Sequence, residues 1–303
     1  MNMHPYTSVA VDHLMKLVNI PSPTGFTHIA AEYLLDVLRG YGFTPYKTHK
    51  GNVVCEIGGE GHPLVVAAHV DTLGAMVRSI KPNGRLRFTA IGGYPANNVE
   101  NETCVVHTRD GRTYTGTFYL TTPASHVYKG IPDIKRDDTT IEVVLDENVS
   151  TKEDVRALGI EVGDFISLDP RAFNTPSGYI KSRHLDDKAS ASVLLALAKM
   201  VSAGDLTLSR KIYLVFTVHE EVGHGCAAGL PEDAEDILSV DMGCVGDDLG
   251  CDETMVSICP KDSRGPYNYE MTGKLIELAR ENNLKYAVDI YPHYGSDVEA
   301  TLS

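Results

Sequence analysis

The segment over residues 211–225, KIYLVFTVHEEVGHG, constrains the fold of this chain more than any other stretch. Its apolar run over residues 212–218 is rich in branched and aromatic side chains, which predicts a strand buried on both faces, as in the sheet of an α/β protein. Two adjacent carboxylates, Glu220 and Glu221, follow directly. Burying two acids side by side is unfavourable unless a cation compensates them, so the segment predicts a metal site at a strand end.

If the strand continues through this acid pair, the two carboxylates point to opposite faces, because successive strand side chains alternate. One of them could then bind a metal while the other acts as a general base. Gly223 and Gly225 predict a sharp turn directly afterwards. The competing interpretation is a solvent-exposed strand end with a coincidental acid pair.

The same pattern recurs at His69 and Asp71, which follow an apolar strand predicted over residues 63–68. Sheets of α/β proteins carry their sites at the carboxyl ends of strands. His69 can bind a metal through one ring nitrogen while Asp71 holds the other nitrogen and fixes the tautomer. A lone histidine at a strand end is more often structural, but the other acidic clusters favour the metal-binding interpretation here.

Two more acidic positions occur at comparable places. Asp186 and Asp187 precede a predicted helix, and Asp241 follows a predicted strand. Capping of the helix N-terminus explains one aspartate of the pair but leaves the other free. We therefore expect a set of side chains to converge: His69, Asp186, Glu221 and Asp241, with Glu220 beside them.

The composition restricts the partners and the compartment. The formal net charge of −14 argues against nucleic-acid and anionic-membrane partners, because such surfaces are bound by basic patches. The sequence shows neither a signal peptide nor an apolar run long enough to span a membrane. Its six cysteines contain no C-x-x-C pair, which is typical of reduced thiols rather than a disulfide framework or a zinc knuckle. We expect a cytoplasmic protein.

A length of 303 residues predicts two domains, and the pattern of apolar and polar residues changes between residues 73 and 170. Short alternating segments are separated there by Asn-Gly and Asp-Gly hairpin signals, and a capping box over residues 150–153 predicts one short helix. We predict an α/β fold, a mixed sheet with helices on both faces, interrupted by a small barrel-like β domain. The predicted boundaries are a discontinuous α/β domain, residues 1–72 and 171–303, and an inserted assembly domain, residues 73–170.

Five motifs, in this order and spacing, resemble the tetrahedral dinuclear-metal aminopeptidases, the glutamyl and deblocking aminopeptidase family. They are H-V-D-T-L-G from His69, L-D-D-K from Leu185, H-E-E-V-G-H-G from His219, V-D-M-G from Val240 and G-S-D from Gly295. Each motif alone is weak, whereas the ordered set is specific. The resemblance spans essentially the whole chain, including the β insertion, and implies a metallopeptidase fold.

The resemblance implies a metallo-aminopeptidase that removes N-terminal residues from short peptides with two divalent metal ions, Zn, Co or Mn. Asp186 would bridge the two metals. His69 and Asp241 would complete one metal site, and Glu221 would bind the other. Dimers joined through the β insertion would build a tetrahedral dodecamer.

The catalytic roles are implied in the same way. Glu220 would be the general base, and Asp71 would orient His69. The family also tends to have a cis peptide after the bridging aspartate, here between Asp186 and Asp187.

Two features depart from the family pattern. Lys188 stands where the family more often has Arg. The family supplies its last metal ligand, a histidine, from beyond the segment that corresponds to residues 295–297, and His293 precedes that segment. We therefore expect a chain truncated at its C-terminus, with an incomplete second metal site, impaired activity and exposed apolar surface near residues 286–291.

Two alternatives stay open at this point. A deacylase or carboxypeptidase could use the same metal core, and would be distinguished by its preference for N-acylated amino acids over aminoacyl anilides. A non-catalytic relative that assembles or binds peptides is favoured only by the missing ligand.

Overall fold

The computed structural model describes residues 4–301, so the outermost residues of the predicted α/β domain lie outside the described range. These residues form five α-helices: α1 (Thr7–Leu17), α2 (His28–Gly40), α3 (Lys152–Ala157), α4 (Leu185–Ser202) and α5 (Tyr269–Glu281). None of these helices combines the length and apolar character needed to cross a membrane.

The strands fall into two groups along the chain. The first nine are β1 (Tyr46–Lys47), β2 (Val53–Gly58), β3 (Leu64–His69), β4 (Gly74–Ile80), β5 (Leu86–Ile91), β6 (Thr103–His107), β7 (Thr113–Leu120), β8 (Ile141–Leu145) and β9 (Phe165–Leu168). The remaining six are β10 (Phe173–Asn174), β11 (Ile180–Lys181), β12 (Ile212–Thr217), β13 (Asp236–Ser239), β14 (Val256–Lys261) and β15 (Tyr286–Ile290).

The central sheet has the strand order β1-β2-β12-β3-β13. Strands β12, β3 and β13 run parallel, while β1 and β2 are antiparallel additions at one edge. The apolar run that dominates the sequence is thus β12, in the middle of the sheet, and residues 213–217 are buried. The register of β12 and β3 pairs Thr217 with His69, so both strands end at the same level.

Both faces of the central sheet are covered. Helices α1, α2 and α4 pack on one face, where the buried cluster includes Leu17, Leu34, Leu38, Val66, Leu195, Leu214 and Phe216. Successive side chains of each strand point to opposite faces of the sheet. Those that point to the second face pack against Cys226, Leu230 and Ile237. The segment covering this second face consists of the 3-10 helix Gly225–Ala227 and irregular chain.

The inserted region forms a closed barrel with the strand order β4-β5-β8-β7-β6-β9. Its hairpins turn at the two predicted signals, where Gly84 and Gly111 donate backbone hydrogen bonds that close the turns. Phe88 and Phe118 meet edge to face in its interior with ring centroids 4.9 Å apart. The predicted α/β class with an inserted barrel is therefore confirmed, whereas the domain boundaries at residues 73 and 170 stay predictions.

The short helix α3 begins one residue later than the sequence pattern indicates. Thr151, not Ser150, is the N-cap: its side chain accepts from the backbone N–H of Asp154, and the Asp154 carboxylate accepts from the N–H of Thr151. The predicted capping box between Ser150 and Glu153 was wrong, because the carboxylate that binds the cap is that of Asp154, one residue after Glu153. The observed box pairs the N–H groups of Thr151 and Asp154, whereas the predicted one would have paired those of Ser150 and Glu153.

The last elements form a separate layer. Strands β14 and β15 make a parallel two-stranded sheet of their own, against which α5 packs. Val288 and Ile290 of β15 are 44% and 52% exposed. Apolar surface is thus present where the sequence predicts it, near residues 286–291.

Candidate metal centre

The candidate centre lies where the carboxyl ends of the parallel strands meet. His69 is the last residue of β3, and Asp241 lies two residues beyond the end of β13. The turn that follows β12 brings Glu220 and Glu221 to the same edge. The entry to α4 supplies Asp186, so all four places predicted from the sequence meet at one sheet edge, the usual location of sites in α/β folds.

His69 is at the middle of this cluster and is 1% exposed. Its Nε2 lies 2.9 Å from Oδ1 of Asp186 and 3.6 Å from Oε2 of Glu220. Its Nδ1 lies 2.9 Å from the backbone carbonyl oxygen of Asp71, whereas the Asp71 carboxylate is 3.6 Å away. A carbonyl can only accept, so it favours the tautomer with the proton on Nδ1 and leaves Nε2 as the ligand atom.

The Asp71 carboxylate, 3.6 Å from His69 Nδ1, also binds groups other than the histidine. It is fully buried and accepts three hydrogen bonds: from Thr24 Oγ1 at 2.7 Å, and from the backbone N–H groups of Glu220 and Glu221 at 3.1 and 3.3 Å. The backbone carbonyl of Asp71 is thus nearer to His69 Nδ1 than its carboxylate is, and the orienting role of the carboxylate stays a prediction. The carboxylate of the same residue holds the acid-bearing turn.

Glu220 and Glu221 do not continue the strand. Strand β12 ends at Thr217, and Glu220–Val222 is a 3-10 helix closed by Gly223 in the left-handed conformation, with φ 77°. The expected alternation of strand faces thus does not apply, because the chain turns first. The Glu221 carboxylate is fixed by the N–H of Leu73, which donates to Oε1 at 3.1 Å.

The Asp186-Asp187 pair contributes two different side chains. The peptide between them is cis, and both residues depart from helical geometry at the start of α4. Asp187 is 1% exposed; its Oδ2 accepts from the N–H of His69 at 3.2 Å, and its Oδ1 has no hydrogen-bond partner among residues 4–301. These contacts place both carboxylates at the His69 cluster.

Two groups of side chains could each hold a metal ion. One consists of His69, Asp187 and Asp241, and the other of His69, Asp186 and Glu221, with the ligand atoms of each group within 4.8 Å of one another. Asp187 is a candidate ligand that the sequence did not single out. The signal was present, because helix capping accounts for only one residue of the aspartate pair.

The electrostatics of the centre indicate a shortage of positive charge. Burial, opposed by the charge of His69 and assisted by that of Asp241, raises the pKa of Glu220 to about 9. Burial likewise raises the pKa of Glu221 to about 8 and that of Asp241 to about 6. Several carboxylates that compete for protons around one imidazole form a donor set that suits a divalent cation, so these residues fit a metal.

A cavity of about 400 Å³ opens over the cluster. Asp186, Glu220 and Asp241 line this cavity, and so do Arg264 and Tyr294. His293 also lines this cavity and is exposed, but it belongs to neither of the two donor groups found among the described residues. The cluster is therefore accessible to a ligand of small-peptide size.

Known proteins are similar to this chain in sequence and in fold. Residues 51–303 match the family described as M42 glutamyl aminopeptidase. The Bacillus subtilis protein named "Putative aminopeptidase YhfE" is 42% identical over 291 residues, which cover 95% of this chain and 84% of that protein.

Solved structures show the same fold. The aminopeptidase APDkam598 of the archaeon Desulfurococcus kamchatkensis superposes with a TM-score of 0.84 at 24% identity, over 97% of this chain and 83% of that one. The Pyrococcus horikoshii TET1 peptidase, described as able to assemble into a tetrahedron or a large octahedral shell, gives a TM-score of 0.81 at 21% identity, over 96% and 87%.

Proposed function

The chain belongs to the M42 glutamyl aminopeptidase family, and from that membership we propose that it removes N-terminal residues from short peptides at a centre of two divalent metal ions. As a member of this family it is an aminopeptidase, a peptide hydrolase. The observation that carries the dinuclear proposal is that four carboxylates, those of Asp186, Asp187, Glu221 and Asp241, lie in two donor groups around the single imidazole of His69, which is more ligands than one tetrahedral ion takes.

The proposed ligands are the residues predicted from the sequence. Asp186 would lie between the two ions, His69 and Asp241 would hold one of them, and Glu221 would hold the other. Asp187, with its unpaired oxygen, is an additional candidate beside Asp241. Imidazole and carboxylate donors suit Zn, Co or Mn, and such an ion supplies Lewis acidity toward a scissile carbonyl and toward water.

Glu220 is the proposed general base. Its carboxylate lines the cavity and lies 3.6 Å from His69 Nε2, yet it belongs to neither donor group. A carboxylate in this position can take a proton from the attacking water and return it to the leaving amine. The Asp71 carboxylate holds the N–H groups of the turn, so the base is oriented before substrate arrives.

A substrate panel tests the proposal. We expect the protein with added Zn²⁺, Co²⁺ or Mn²⁺ to hydrolyse aminoacyl anilides, and EDTA to abolish that activity. N-acylated amino acids should be poor substrates, because the proposed reaction requires a free amine. Preference for N-acylated compounds would instead favour the deacylase or carboxypeptidase alternative, and activity unaffected by chelation would refute the metal mechanism.

Self-assembly through the barrel is the second part of the proposal. It is supported by the P. horikoshii TET1 peptidase, which shares the fold and is described as forming tetrahedral or octahedral shells. We propose dimers that build a tetrahedral dodecamer. Light scattering of the intact chain and of a variant lacking residues 73–170 tests this role: the large assembly should be lost with the barrel, and an unchanged oligomer would contradict it.

A cytoplasmic location is proposed as well. All six cysteines are free thiols within residues 4–301. Free thiols are typical of reducing compartments, which supports this prediction. Measuring the thiol content of the protein purified from its native host under non-reducing conditions tests it: six free thiols are expected, and disulfides would contradict it.

A further inference from the structure

We propose that Lys50, at the tip of the β1–β2 hairpin, is a positioning residue that fixes the turn carrying Glu220 and Glu221. The catalytic consequence of this role rests on the proposed function. The structural consequence does not, because it concerns only how the chain holds residues 219–228.

The contacts of Lys50 are with backbone carbonyls on the far side of the turn. Its Nζ donates to the carbonyl oxygen of Gly225 at 2.6 Å and to that of His224. Asn52, two residues along the same hairpin, donates from Nδ2 to the carbonyl oxygen of Ala228 at 3.2 Å. The hairpin tip thus supplies side-chain donors to three carbonyls of this irregular segment.

Such donors matter because the segment consists of short 3-10 turns. Glu220–Val222 and Gly225–Ala227 are each too short to satisfy their own terminal carbonyls, and a partly buried carbonyl without a partner is unfavourable. Within the segment, Gly223 donates to the carbonyl of Glu220 and His224 to that of His219. The side chains of the hairpin tip complete the pattern from outside.

The turn is therefore held from two sides by groups of opposite charge. The Asp71 carboxylate accepts from the N–H groups at its start, and the Lys50 ammonium donates to carbonyls at its end. Hydrogen bonds to charged groups are about twice as strong as neutral ones. Loss of Lys50 should thus release one end of the turn while Asp71 still holds the other.

The charge of Lys50 also acts on a buried carboxylate that packs on the turn. Asp297 is 1% exposed, accepts from Thr217 Oγ1 at 2.8 Å, and has no hydrogen-bond partner for Oδ1 within residues 4–301. It packs so closely on Gly225 that a Cβ at this glycine would lie 1.6 Å from Oδ1. The positive charge of Lys50 favours this arrangement, since it acts on Asp297 as well as on the two carbonyls.

Hydrogen exchange of the metal-free protein tests the structural step. In Lys50→Met, which keeps the apolar stem, we expect the amides of Gly223 and His224 to exchange at least about tenfold faster than in the wild type. Lys47→Met is the matched control, because Lys47 lies on the same hairpin but pairs with the exposed Glu32. Equal protection of these amides in Lys50→Met and the wild type would overturn the proposal. Should Lys50→Met not fold, Lys50→Gln, which removes the charge and shortens the side chain, is measured in its place and decides in the same way.

Kinetics on an aminoacyl anilide test the catalytic step. Lys50→Met should lower kcat about tenfold with KM changed less than about threefold, since a misplaced base affects the transition state more than binding. Lys50→Arg, which keeps a charged donor, should recover kcat to within about threefold of the wild type. Unchanged kcat in Lys50→Met, or no recovery in Lys50→Arg, would overturn the positioning role. An inactive wild type would instead contradict the proposed function, and the exchange experiment would then decide on Lys50 alone.

Discussion

At the scale of single residues, the geometry of the candidate centre depends on which atom of each polar residue makes each hydrogen bond. Residue 71 shows this clearly: its backbone carbonyl accepts from His69, while its carboxylate accepts from the N–H groups of Glu220 and Glu221. One residue thereby sets the histidine tautomer and the position of the acid-bearing turn together. Substitution of Asp71 would remove the carboxylate that holds the turn, while the backbone carbonyl that faces His69 would remain.

The general-base proposal predicts a separation of turnover from metal binding. Glu220→Gln should bind metal as the wild type does, because Glu220 lies outside both donor groups, while kcat on an aminoacyl anilide falls by at least about 100-fold. Metal stoichiometry and turnover of the same preparation provide the measurement. Glu235→Gln is the control, since Glu235 pairs with His62 in an exposed position. Activity near the wild-type level in Glu220→Gln would show that the base is another group.

Asp187 gives a second prediction at this scale. Asp187→Asn removes a buried carboxyl group whose Oδ1 is unpaired among the described residues, so we expect divalent-metal affinity to fall by at least about tenfold. Titration with Zn²⁺ monitored by calorimetry measures this. Asp289→Asn is the comparison, because Asp289 is also buried but accepts from the N–H groups of Gly250 and Cys251 instead. Equal affinity in Asp187→Asn and the wild type would leave Asp186 as the functional member of the pair.

At the scale of secondary structure, two boundaries differ from the predicted ones, and at both a side-chain carboxylate accepts hydrogen bonds from backbone N–H groups. Strand β12 ends before the acid pair because Asp71 binds the N–H groups of Glu220 and Glu221. Helix α3 is capped by Thr151 because the Asp154 carboxylate accepts from the N–H of this residue. In both cases a carboxylate decides the boundary by accepting from two backbone N–H groups.

The position of the α3 cap is directly testable. Thr151→Ala should lower the free energy of unfolding by about 1 kcal/mol, the usual contribution of an N-cap side chain. Ser150→Ala should have little effect, because the Ser150 hydroxyl makes only a 3.4 Å contact with Asp154. Urea unfolding of the two variants measures the difference. A larger loss in Ser150→Ala than in Thr151→Ala would restore the assignment based on the sequence pattern.

At the scale of the whole molecule, the barrel and the central sheet are joined by an aromatic cluster. Phe26, from the loop before α2, stacks on His107 and Phe165 of the barrel with ring centroids 4.7 and 5.5 Å apart. His107 is buried, and its Nε2 lies 2.8 Å from Ser167 Oγ. The contact between the barrel and the loop before α2 thus includes a buried histidine, His107, whose ring packs on Phe26.

This histidine predicts a loss of stability in acid. Burial lowers the pKa of His107 to about 4, from an ordinary value near 6.5, so the unfolded chain takes up the proton first as the pH falls. The stability contribution is complete above pH 6.5 and is lost between pH 6.5 and 4, by up to about 3 kcal/mol.

The contribution of His107 can be separated from that of other buried histidines by comparison of variants. His107→Gln should reduce the fall in unfolding free energy between pH 7 and 4.5, whereas His126→Gln, on an exposed loop, should retain it. Burial also lowers the pKa values of His13 and His184, so part of the fall should persist in every variant. Urea unfolding at both pH values is the measurement, and identical falls in all three proteins would contradict the role of His107.

The sequence by itself determined the class of fold and, Asp187 apart, which residues meet at the candidate centre. The apolar run of β12, the hairpin signals at Gly84 and Gly111, and the helical periodicities are local patterns that depend on near neighbours. The polar residues at strand ends were also readable, since parallel strands deliver their carboxyl ends to one edge. His69, Asp186, Glu221 and Asp241 were named on that basis, although their roles stay predictions.

Only the tertiary structure decided which partner each polar group takes. Lys50 meets Gly225, and Asp187 meets His69, across gaps in sequence of 175 and 118 residues. Such contacts leave no periodic trace in the sequence, because they depend on how separate elements pack rather than on local preference. The end of strand β12 determines where Glu220 and Glu221 lie. The β1–β2 hairpin, through Lys50, and the buried Asp71 determine how the turn that carries them is held.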